Sequence, residues 1–129
     1  MARSIITTDG APAAIGPYAQ GVRVGNLIFT AGQGGLDPIT GQVVPGGINE
    51  QTARTIENLK AVLEAGGSSL GQVVKAIVFL KDINDFAAMN AVYGSFFEGD
   101  SDTLPARTTV EVARLPRNLL VEIEVVAEV

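Results

Sequence analysis

The run VVKAIVFL, residues 73 to 80, constrains the fold of this chain more than any other segment. Successive side chains of a strand point to opposite faces, and both faces of this run are apolar. One face carries Val74, Ala76, Val78 and Leu80, and the other carries Val73, Ile77 and Phe79. The run therefore predicts a central β-strand that is covered on both sides.

Residues 48 to 67, upstream of this strand, predict a helix that packs on one side only. Apolar side chains recur there at helical spacing, at Ala53, Ile56, Leu59 and Leu63, whereas the other face carries Glu57, Lys60 and Glu64. The pair Gly66-Gly67 supplies the end of the helix, because glycine is favoured just beyond a helix C-terminus.

A second helix is predicted within residues 84 to 97, downstream of the same strand. Its large apolar side chains, Phe86, Met89, Tyr93 and Phe96, stand at positions i, i+3, i+7 and i+10. The simplest interpretation of such a stripe is a surface that faces the core. We therefore expect the two helices to cover one face of the sheet.

Further strands are predicted on either side of these helices. A hairpin joins residues 21–24 to residues 27–31 through Gly25-Asn26, a typical two-residue turn. Turn residues in the segment 36–44 precede Val43-Val44, where we expect a short edge strand. Two final strands, 107–113 and 119–127, are joined by a short link, which favours antiparallel pairing between them.

The last two strands alternate between apolar and polar side chains. In the final strand Val121, Ile123, Val125 and Ala127 share one face, opposite Glu122, Glu124 and Glu128. In the strand before it we expect Val110 and Val112 to face the helices, and Arg107, Thr109 and Glu111 to share the other sheet face with Val73, Ile77 and Phe79. That mixture of apolar and charged groups fits a subunit interface with a small wet pocket.

Composition narrows the classes of function. The 129 residues suit a single domain, 1–129, and the net charge of −5 without any basic run argues against nucleic acid as a partner. The N-terminus lacks a signal-peptide apolar region, and no stretch reaches roughly 18 uncharged apolar residues, so we expect a cytoplasmic protein without a membrane partner. A mean hydropathy of +0.29 favours an oligomer.

The chain contains no Cys and no His. This composition excludes disulfides, thiolate nucleophiles, Ser-His-Asp relays and the common zinc sites. Neither a P-loop nor the sequence G-x-G-x-x-G is present, so we expect no metal and no nucleotide cofactor.

Several motifs resemble the Rid family, named for reactive intermediate deaminase. They cover nearly the whole chain: APAAIGPYAQG (11–21), FTAGQ (29–33), DPITG (37–41), NLKAVLEAGG (58–67), NDFAAMNAVYGSFF (84–97), PARTTVEVARLP (105–116) and VEIE (121–124). The resemblance implies an α+β, chorismate-mutase-like fold, with one mixed, mainly antiparallel sheet, two helices packed on one face, and a homotrimer with clefts between subunits.

The resemblance also implies an activity. Family members hydrolyse 2-aminoacrylate, 2-aminocrotonate and their imine tautomers, 2-iminopropanoate and 2-iminobutanoate, to 2-ketoacids and ammonia without a cofactor. Matched residue by residue, the substrate-carboxylate arginine is Arg107 and the water-associated glutamate is Glu122, which makes both candidate catalytic residues. The other candidate substrate-binding residues are Tyr18, Ala31, Gly32, Asn90 and Thr109.

This chain departs from many relatives at four of its positions. They carry Ser in place of Ala31, Cys in place of Thr109, and a bulkier pair in place of Gly34-Gly35. The loss of a hydroxyl at Ala31 removes a hydrogen bond, and we expect the two glycines to loosen the loop at the cleft. The substrate range is therefore left open.

Alternatives remain for the site residues and for the function. From the residues alone, Arg107 could pair with Glu111 or Glu122, and Glu122 could be a solvated acid on the strand face. Tyr18 could cap a turn, Gly32 could serve backbone geometry, and Asn90 could bridge structural groups. A trimer that binds or senses ketoacids without turnover is an alternative function. An RNA-cleaving activity attributed to some relatives conflicts with the acidic charge and the absence of His.

Overall fold

Alternating apolar side chains build one mixed β-sheet that two helices cover. The computed structural model describes residues 2–99 and 103–129, and the predicted loop 98–105 lies partly outside these ranges. The described strands are β1 (Arg3–Ile6), β2 (Gly21–Val24), β3 (Leu27–Thr30), β4 (Gln33–Gly34), β5 (Val73–Leu80), β6 (Ala106–Glu111) and β7 (Val121–Glu128). The helices are α1 (Ile48–Ala65) and α2 (Phe86–Phe96).

The sheet has the strand order β1-β2-β3-β7-β5-β6, and β4 adds a short pairing to β7. All neighbours on this path are antiparallel except β5 and β6, which are parallel. The predicted pairing of the last two strands is therefore wrong, because β5 lies between them. The chain reaches β6 from β5 through α2, and such a crossover connection produces a parallel neighbour.

The hairpin and both helices are confirmed. Strands β2 and β3 pair through the Gly25-Asn26 turn, where Gly25 has a φ of 60°, a left-handed value that glycine adopts at no steric cost. The expected edge strand at Val43-Val44 is wrong, since a single isolated bridge joins Leu36 to Val43. That segment is too irregular to add a strand to the sheet.

The main core lies between the two helices and one face of the sheet. Ile56, Leu59 and Leu63 of α1 are fully buried, and they belong to the same cluster as alternate residues of β7, namely Val121, Ile123, Val125 and Ala127. Met89 and Tyr93 of α2 join this cluster, whereas Phe86 remains 38% exposed. The prediction that Phe86 belongs to the core is therefore wrong.

The first two residues of β5, Val73 and Val74, lie on the faces opposite to those predicted. Val73 is buried and Val74 is 40% exposed, although simple alternation places Val74 with Ala76 on one face. The pairing with β7 shifts between Val73 and Lys75, as expected for a β-bulge, in which one extra residue is accommodated. Val73 therefore faces the helices together with Ala76, Val78 and Leu80.

The faces of β6 are also opposite to the prediction. Arg107 and Thr109 lie beside Ala76 and Val78 in the parallel pairing, so they project toward the helices. Val110 pairs with Phe79, projects to the other face and is 38% exposed. Apolar content alone therefore gave the wrong side for this edge strand.

The other face of the sheet carries no helix in the described part of the chain. We call it the open face and define it by Phe29, Ile77, Phe79, Val110 and Val126, which are half-buried or exposed. Cross-strand pairs join Phe29 to Val126, and Phe79 to both Glu122 and Val110. The open face thus mixes apolar groups with carboxylates, as predicted, but without Arg107.

Neither of the described helices, α1 or α2, is both long enough and apolar enough to cross a membrane.

Candidate active site

Arg107 lies on the edge strand β6, beneath the helix α2. Its guanidinium carbon is 4.7 Å from the centre of the Tyr93 ring and 5.5 Å from the centre of the Phe86 ring. At these distances a guanidinium is attracted by the electron-rich face of an aromatic ring. The side chain is half-buried, so contact with the two rings restricts its position.

Two further predicted residues lie near this guanidinium. Asn90 stands between Phe86 and Tyr93 at helical spacing i, i+4 and i+7, so it shares their side of α2. Thr109 is two residues beyond Arg107 on the same face of β6. We call this group, Arg107, Thr109 and Asn90 with Phe86 and Tyr93, the Arg107 half-site.

The guanidinium of Arg107 has no acidic partner within residues 2–99 and 103–129. Glu111, one of the alternative partners, instead accepts a hydrogen bond of 2.9 Å from the backbone N–H of Ile83. Glu122 projects to the opposite face of the sheet. The interpretation of Arg107 as an internal ion pair is therefore wrong for the described chain, and its N–H donors remain available to a ligand.

Glu122 occupies the open face, where β7 meets β4. Gly32 lies beside it, and a Cβ added at Gly32 would overlap the Glu122 Oε2 atom. The carboxyl lines a cavity of about 340 Å³ together with residues of three loops, among them Tyr18, Gly32, Ile39 and Leu119. The absence of a side chain at Gly32 leaves the room that the carboxyl occupies.

The electrostatic environment of Glu122 favours its protonated form. Burial raises the pKa of the Glu122 carboxyl above its usual value, and the negative charge of Glu124 raises it further. The described residues provide no hydrogen bond or ion pair that would offset this effect. A raised pKa makes a carboxyl better suited to accept a proton and to return it.

Tyr18 and Ala31 complete this second group. The Tyr18 ring is 52% exposed and lines the cavity, and its hydroxyl accepts a long bond of 3.4 Å from the backbone N–H of Ile15, so the turn-capping alternative is correct in part. Ala31 is half-buried beside Gly32, and its N–H donates to the carbonyl of Gln20. We call Tyr18, Ala31, Gly32 and Glu122 the Glu122 half-site.

Gln20 holds the segment that carries Tyr18. Its side chain is 4% exposed, donates to the carbonyls of Thr8, Ala11 and Pro12, and accepts a bond from the N–H of Thr8. Buried side chains with this many backbone partners fix the path of a loop. The irregular chain between β1 and β2 is therefore anchored against the sheet.

Gly34 and Gly35 do not loosen the cleft. Both are buried, and an added Cβ would overlap Leu119 at Gly34 and would lie 2.8 Å from the Gln51 Cα atom at Gly35. The buried Asn58 side chain donates to the carbonyls of Gly34 and Leu36 at 3.1 and 3.0 Å. The glycines allow β4 to approach α1 closely, so the expectation of a looser loop is wrong.

The two half-sites lie on opposite faces of one sheet. Arg107 projects toward the helices from β6, whereas Glu122 projects to the open face from β7, and β5 separates the two strands. One chain therefore brings together three predicted site residues around Arg107 and four around Glu122, but not the two groups. The described residues of one chain therefore do not form a pocket that contains both Arg107 and Glu122.

Two residues of the Arg107 half-site and one residue that borders the Glu122 half-site were not predicted. Phe86 and Tyr93 were assigned to the core, although both rings contact the guanidinium, and their i, i+7 spacing on the side of Asn90 was the available signal. Arg117 lines the cavity beside Glu122, and its guanidinium donates to the carbonyl of Gly41. Arg117 and Asn118 have left-handed φ angles of 58° and 55°. No feature of the sequence predicts this backbone conformation.

Among residues 2–99 and 103–129, no group of three or more acidic side chains could hold a metal ion.

The fold and the half-sites together define a class of protein. It is a small α+β domain in which the Arg107 guanidinium and the Glu122 carboxyl project from opposite faces of an open sheet.

Comparison with known proteins identifies the family. The model described as Endoribonuclease L-PSP matches residues 8–129. A RutC family protein of Pyrococcus abyssi is 54% identical over 98% of each chain. The 2-iminobutanoate/2-iminopropanoate deaminase of Escherichia coli is 51% identical over 95% of this chain and 94% of that one.

The solved structure of YyfA from Yersinia pestis, described as a conserved Rid family protein, has a TM-score of 0.94 and 41% identity, and it covers 99% of this chain and 100% of that one. The chain therefore belongs to the Rid family, that of the Endoribonuclease L-PSP model.

Proposed function

We propose that this protein hydrolyses 2-imino acids and their enamine tautomers to 2-ketoacids and ammonia, in clefts between the subunits of a homotrimer. The observation that carries the proposal is the separation of two unpaired charges. Arg107 and Glu122 are each half-buried, neither has an ionic partner among the described residues, and the sheet lies between them. A second copy that places its Glu122 half-site against Arg107 creates a pocket with both charges.

In such a pocket Arg107 binds the substrate carboxylate. A guanidinium is always charged, and its planar donors match both oxygens of a carboxylate through parallel N–H bonds. Because its position is fixed by Phe86 and Tyr93, the carboxylate and the attached C=N carbon acquire a fixed position as well. Arg107 therefore orients the electrophilic carbon toward the opposing half-site.

Glu122 moves the protons of the reaction. Its carboxylate accepts a proton from a water molecule as the water oxygen bonds to the iminium carbon, which gives a tetrahedral carbinolamine. The carboxyl then returns this proton to the nitrogen, the C–N bond breaks and ammonia leaves. As the C=O bond forms, the hydroxyl proton of the carbinolamine passes to the Glu122 carboxylate, which releases it to solvent or to ammonia. The raised pKa of Glu122 suits both steps, since the group must accept and donate in turn.

The remaining residues shape the pocket. Tyr18 forms a wall and offers a hydroxyl, Gly32 lets the substrate approach the backbone beside Glu122, and Asn90 offers an amide next to Arg107. Thr109 and Ala31 determine local volume and polarity at the two sides. Imine hydrolysis is rapid without an enzyme, so orientation and proton transfer suffice for the modest acceleration required.

The names of relatives support this proposal. The Escherichia coli protein that is 51% identical carries the name 2-iminobutanoate/2-iminopropanoate deaminase, while the Pyrococcus abyssi relative carries only a family name. The match to the Escherichia coli protein covers 95% of this chain, and the span of the family model, residues 8–129, contains Arg107 and Glu122. The same reaction is therefore proposed for this chain.

The decisive assay follows ammonia release from 2-aminoacrylate generated in the cuvette by a dehydratase. The protein should accelerate release over buffer, and Arg107→Ala should abolish the acceleration while the oligomer stays intact by size-exclusion chromatography. Arg3→Ala, an exposed arginine in β1, is the matched control and should behave as wild type. A wild-type protein no faster than buffer would reject the proposal, and saturable ketoacid binding without turnover would support a sensing trimer instead.

Cleavage of RNA is a second candidate, because the matching family model is described as Endoribonuclease L-PSP. The net charge of −5 disfavours binding to a phosphate backbone, and the chain has no His for acid-base chemistry. Highly purified protein should not cleave RNA. RNase activity that persists at a constant ratio to protein through purification, and that Glu122→Gln removes, would favour this candidate.

A further inference from the structure

One side of α2 forms a two-ring support for the Arg107 guanidinium. Phe86 and Tyr93 are seven residues apart, about two helical turns or roughly 10 Å along the axis. The guanidinium carbon lies 5.5 Å from one ring centre and 4.7 Å from the other, so it bridges the intervening turn. Asn90 belongs to that turn.

Tyr93 is the rigid part of this support. Its ring stacks on Phe97 with 4.4 Å between the centroids and 25° between the planes, and its residue is only 7% exposed. The Tyr93 hydroxyl is buried and has no hydrogen-bond partner in the described part of the chain. Because the hydroxyl makes no bond, the contact that Tyr93 offers to Arg107 is the face of its ring.

An aromatic face holds a guanidinium differently from a carboxylate. It attracts the positive charge without accepting the in-plane N–H bonds, so the donors stay free and the charge stays uncompensated. An acidic neighbour would occupy the same donors that a substrate carboxylate needs. The rings therefore fix the direction of Arg107 while its binding capacity is preserved.

From this geometry we propose that Tyr93, assisted by Phe86, is a positioning residue that orients Arg107 for the capture of a substrate carboxylate. The catalytic consequence rests on the proposed function. The orientation of Arg107 by the rings does not, so the two can be tested separately.

The first test observes Arg107 directly by NMR of its side-chain Nε–H group, assigned with Arg107→Lys. Ring currents should shift this signal away from the position of exposed arginines in the wild type and in Tyr93→Phe, which retains the ring. In Tyr93→Leu the signal should move toward the exposed position. An unchanged signal in Tyr93→Leu would overturn the proposal whether or not the protein is a deaminase.

The second test measures binding of 2-ketobutanoate, a stable product of the proposed reaction, by calorimetry. Tyr93→Leu should weaken binding about tenfold, within the range expected for loss of a partly desolvated cation–π contact, whereas Tyr93→Phe should bind within about twofold of the wild type. In turnover assays KM should rise in Tyr93→Leu more than kcat falls. Equal losses in Tyr93→Leu and Tyr93→Phe would assign the effect to the hydroxyl and overturn the proposal.

Phe86→Leu is a second variant that should fold normally, because Phe86 is 38% exposed and the smaller side chain leaves little cavity. It should weaken 2-ketobutanoate binding severalfold with an unchanged thermal unfolding curve, and unchanged binding would contradict the role given to this ring. If the wild type binds 2-ketobutanoate but releases no ammonia from 2-aminoacrylate, the proposed function fails and the positioning role stands. If it does not bind 2-ketobutanoate, the NMR result alone decides.

Discussion

The two half-sites place an ionisable side chain in opposite kinds of environment. In the Arg107 half-site a cation lies against two ring faces, on the helix-covered side of an edge strand. In the Glu122 half-site an acid lies against glycine backbone, on the open face of the sheet. The first environment stabilises its charge, whereas the second raises the pKa of its group and disfavours the charge.

This difference in environment is linked to the separation of Arg107 from Glu122 within one chain. A half-buried charge without a partner costs free energy that an internal ion pair would partly recover. The sheet prevents that pairing, because Arg107 and Glu122 project from its opposite faces. Each half-site is thus kept open for a group that comes from outside the chain.

The largest expected effect comes from mixing two inactive variants. Arg107→Ala and Glu122→Gln should each lose at least about a hundredfold in activity, in line with the removal of a group that acts in the transition state. Refolded together in equal amounts, they should regain activity if, as proposed, each cleft takes Arg107 from one subunit and Glu122 from another. Random mixing in a ring leaves about a quarter of the clefts with both groups intact.

The measurement is ammonia release by the co-refolded mixture, with each variant refolded alone as the control. Activity near a quarter of the wild-type value supports a shared site. No recovery, despite mixed oligomers shown by native mass spectrometry, would mean that both groups act within one chain, and the comparison of half-sites would collapse.

Gly32→Ala should damage the Glu122 half-site alone. The added Cβ would overlap the flexible end of the Glu122 side chain, so the carboxyl must move, and kcat should fall about tenfold, as small misplacements of catalytic groups typically cause. The free energy of unfolding should change by less than about 1 kcal/mol, because a flexible side chain yields cheaply. Urea unfolding and steady-state kinetics check both parts.

Gly71→Ala is the matched control for Gly32→Ala, since its added Cβ meets only the Ser69 hydroxyl oxygen at 3.8 Å. It should leave kcat unchanged. If Gly32→Ala also weakened 2-ketobutanoate binding tenfold, the two half-sites would not be independent, and the division between binding and proton transfer would have to be abandoned.

Glu122→Gln should alter the pH dependence of stability. The Glu122 carboxyl, with its raised pKa, binds a proton more tightly in the folded chain than in the unfolded one, so wild-type stability falls as pH rises from the usual carboxyl pKa through the raised value. Glutamine removes this fall. The variant should therefore gain stability relative to the wild type above that window, by less than about 1 kcal/mol because solvent reaches the carboxyl.

Urea unfolding of both proteins at a series of pH values measures this difference, with Glu64→Gln, at an exposed position of α1, as control. The gain should vanish at pH values below the usual carboxyl pKa. A variant that is less stable than the wild type at neutral pH would show that the Glu122 charge is stabilised, and the contrast with Arg107 would be lost.

The smallest effect is expected at the turn that walls the Glu122 cavity. Asn118 has a φ of 55°, so Asn118→Gly should raise the free energy of unfolding by a few tenths of a kcal/mol, because glycine adopts left-handed backbone without strain. Asn49→Gly in the first turn of α1 should do the opposite, since helical backbone disfavours glycine. Thermal unfolding compares the two, and equal changes in the same direction would argue against local strain.

Much of the fold could be predicted from sequence because local patterns determine it. The period of two in Val121 to Ala127, the helical spacing of Ile56, Leu59 and Leu63, and the Gly25-Asn26 turn each correspond to an observed element. The order of strands could not be deduced in this way. The link between β6 and β7 is short in sequence, yet β5 pairs with both, and only long-range pairing decides this.

The candidate site was predictable in residue identity but not in arrangement. On an edge strand such as β6, both faces carry enough polar and apolar groups for either to face the helices. The pairing of Ala76 with Arg107 determines the choice, and no property of the segment 105–116 reveals that register. For the same reason the contact of Arg107 with Phe86 and Tyr93 was not foreseen.

The open face of the sheet links the stability of the protein to its concentration. Phe29 is 46% exposed there and pairs with Val126, and Val110 lies across from Phe79, so water contacts these groups unless another molecule covers them. If copies of the chain cover this face, assembly and folding obey mass action. The melting temperature should then fall on dilution, and a cell that makes too little of the protein would lose the assembly, and with it the proposed clefts, before it loses its folded chains.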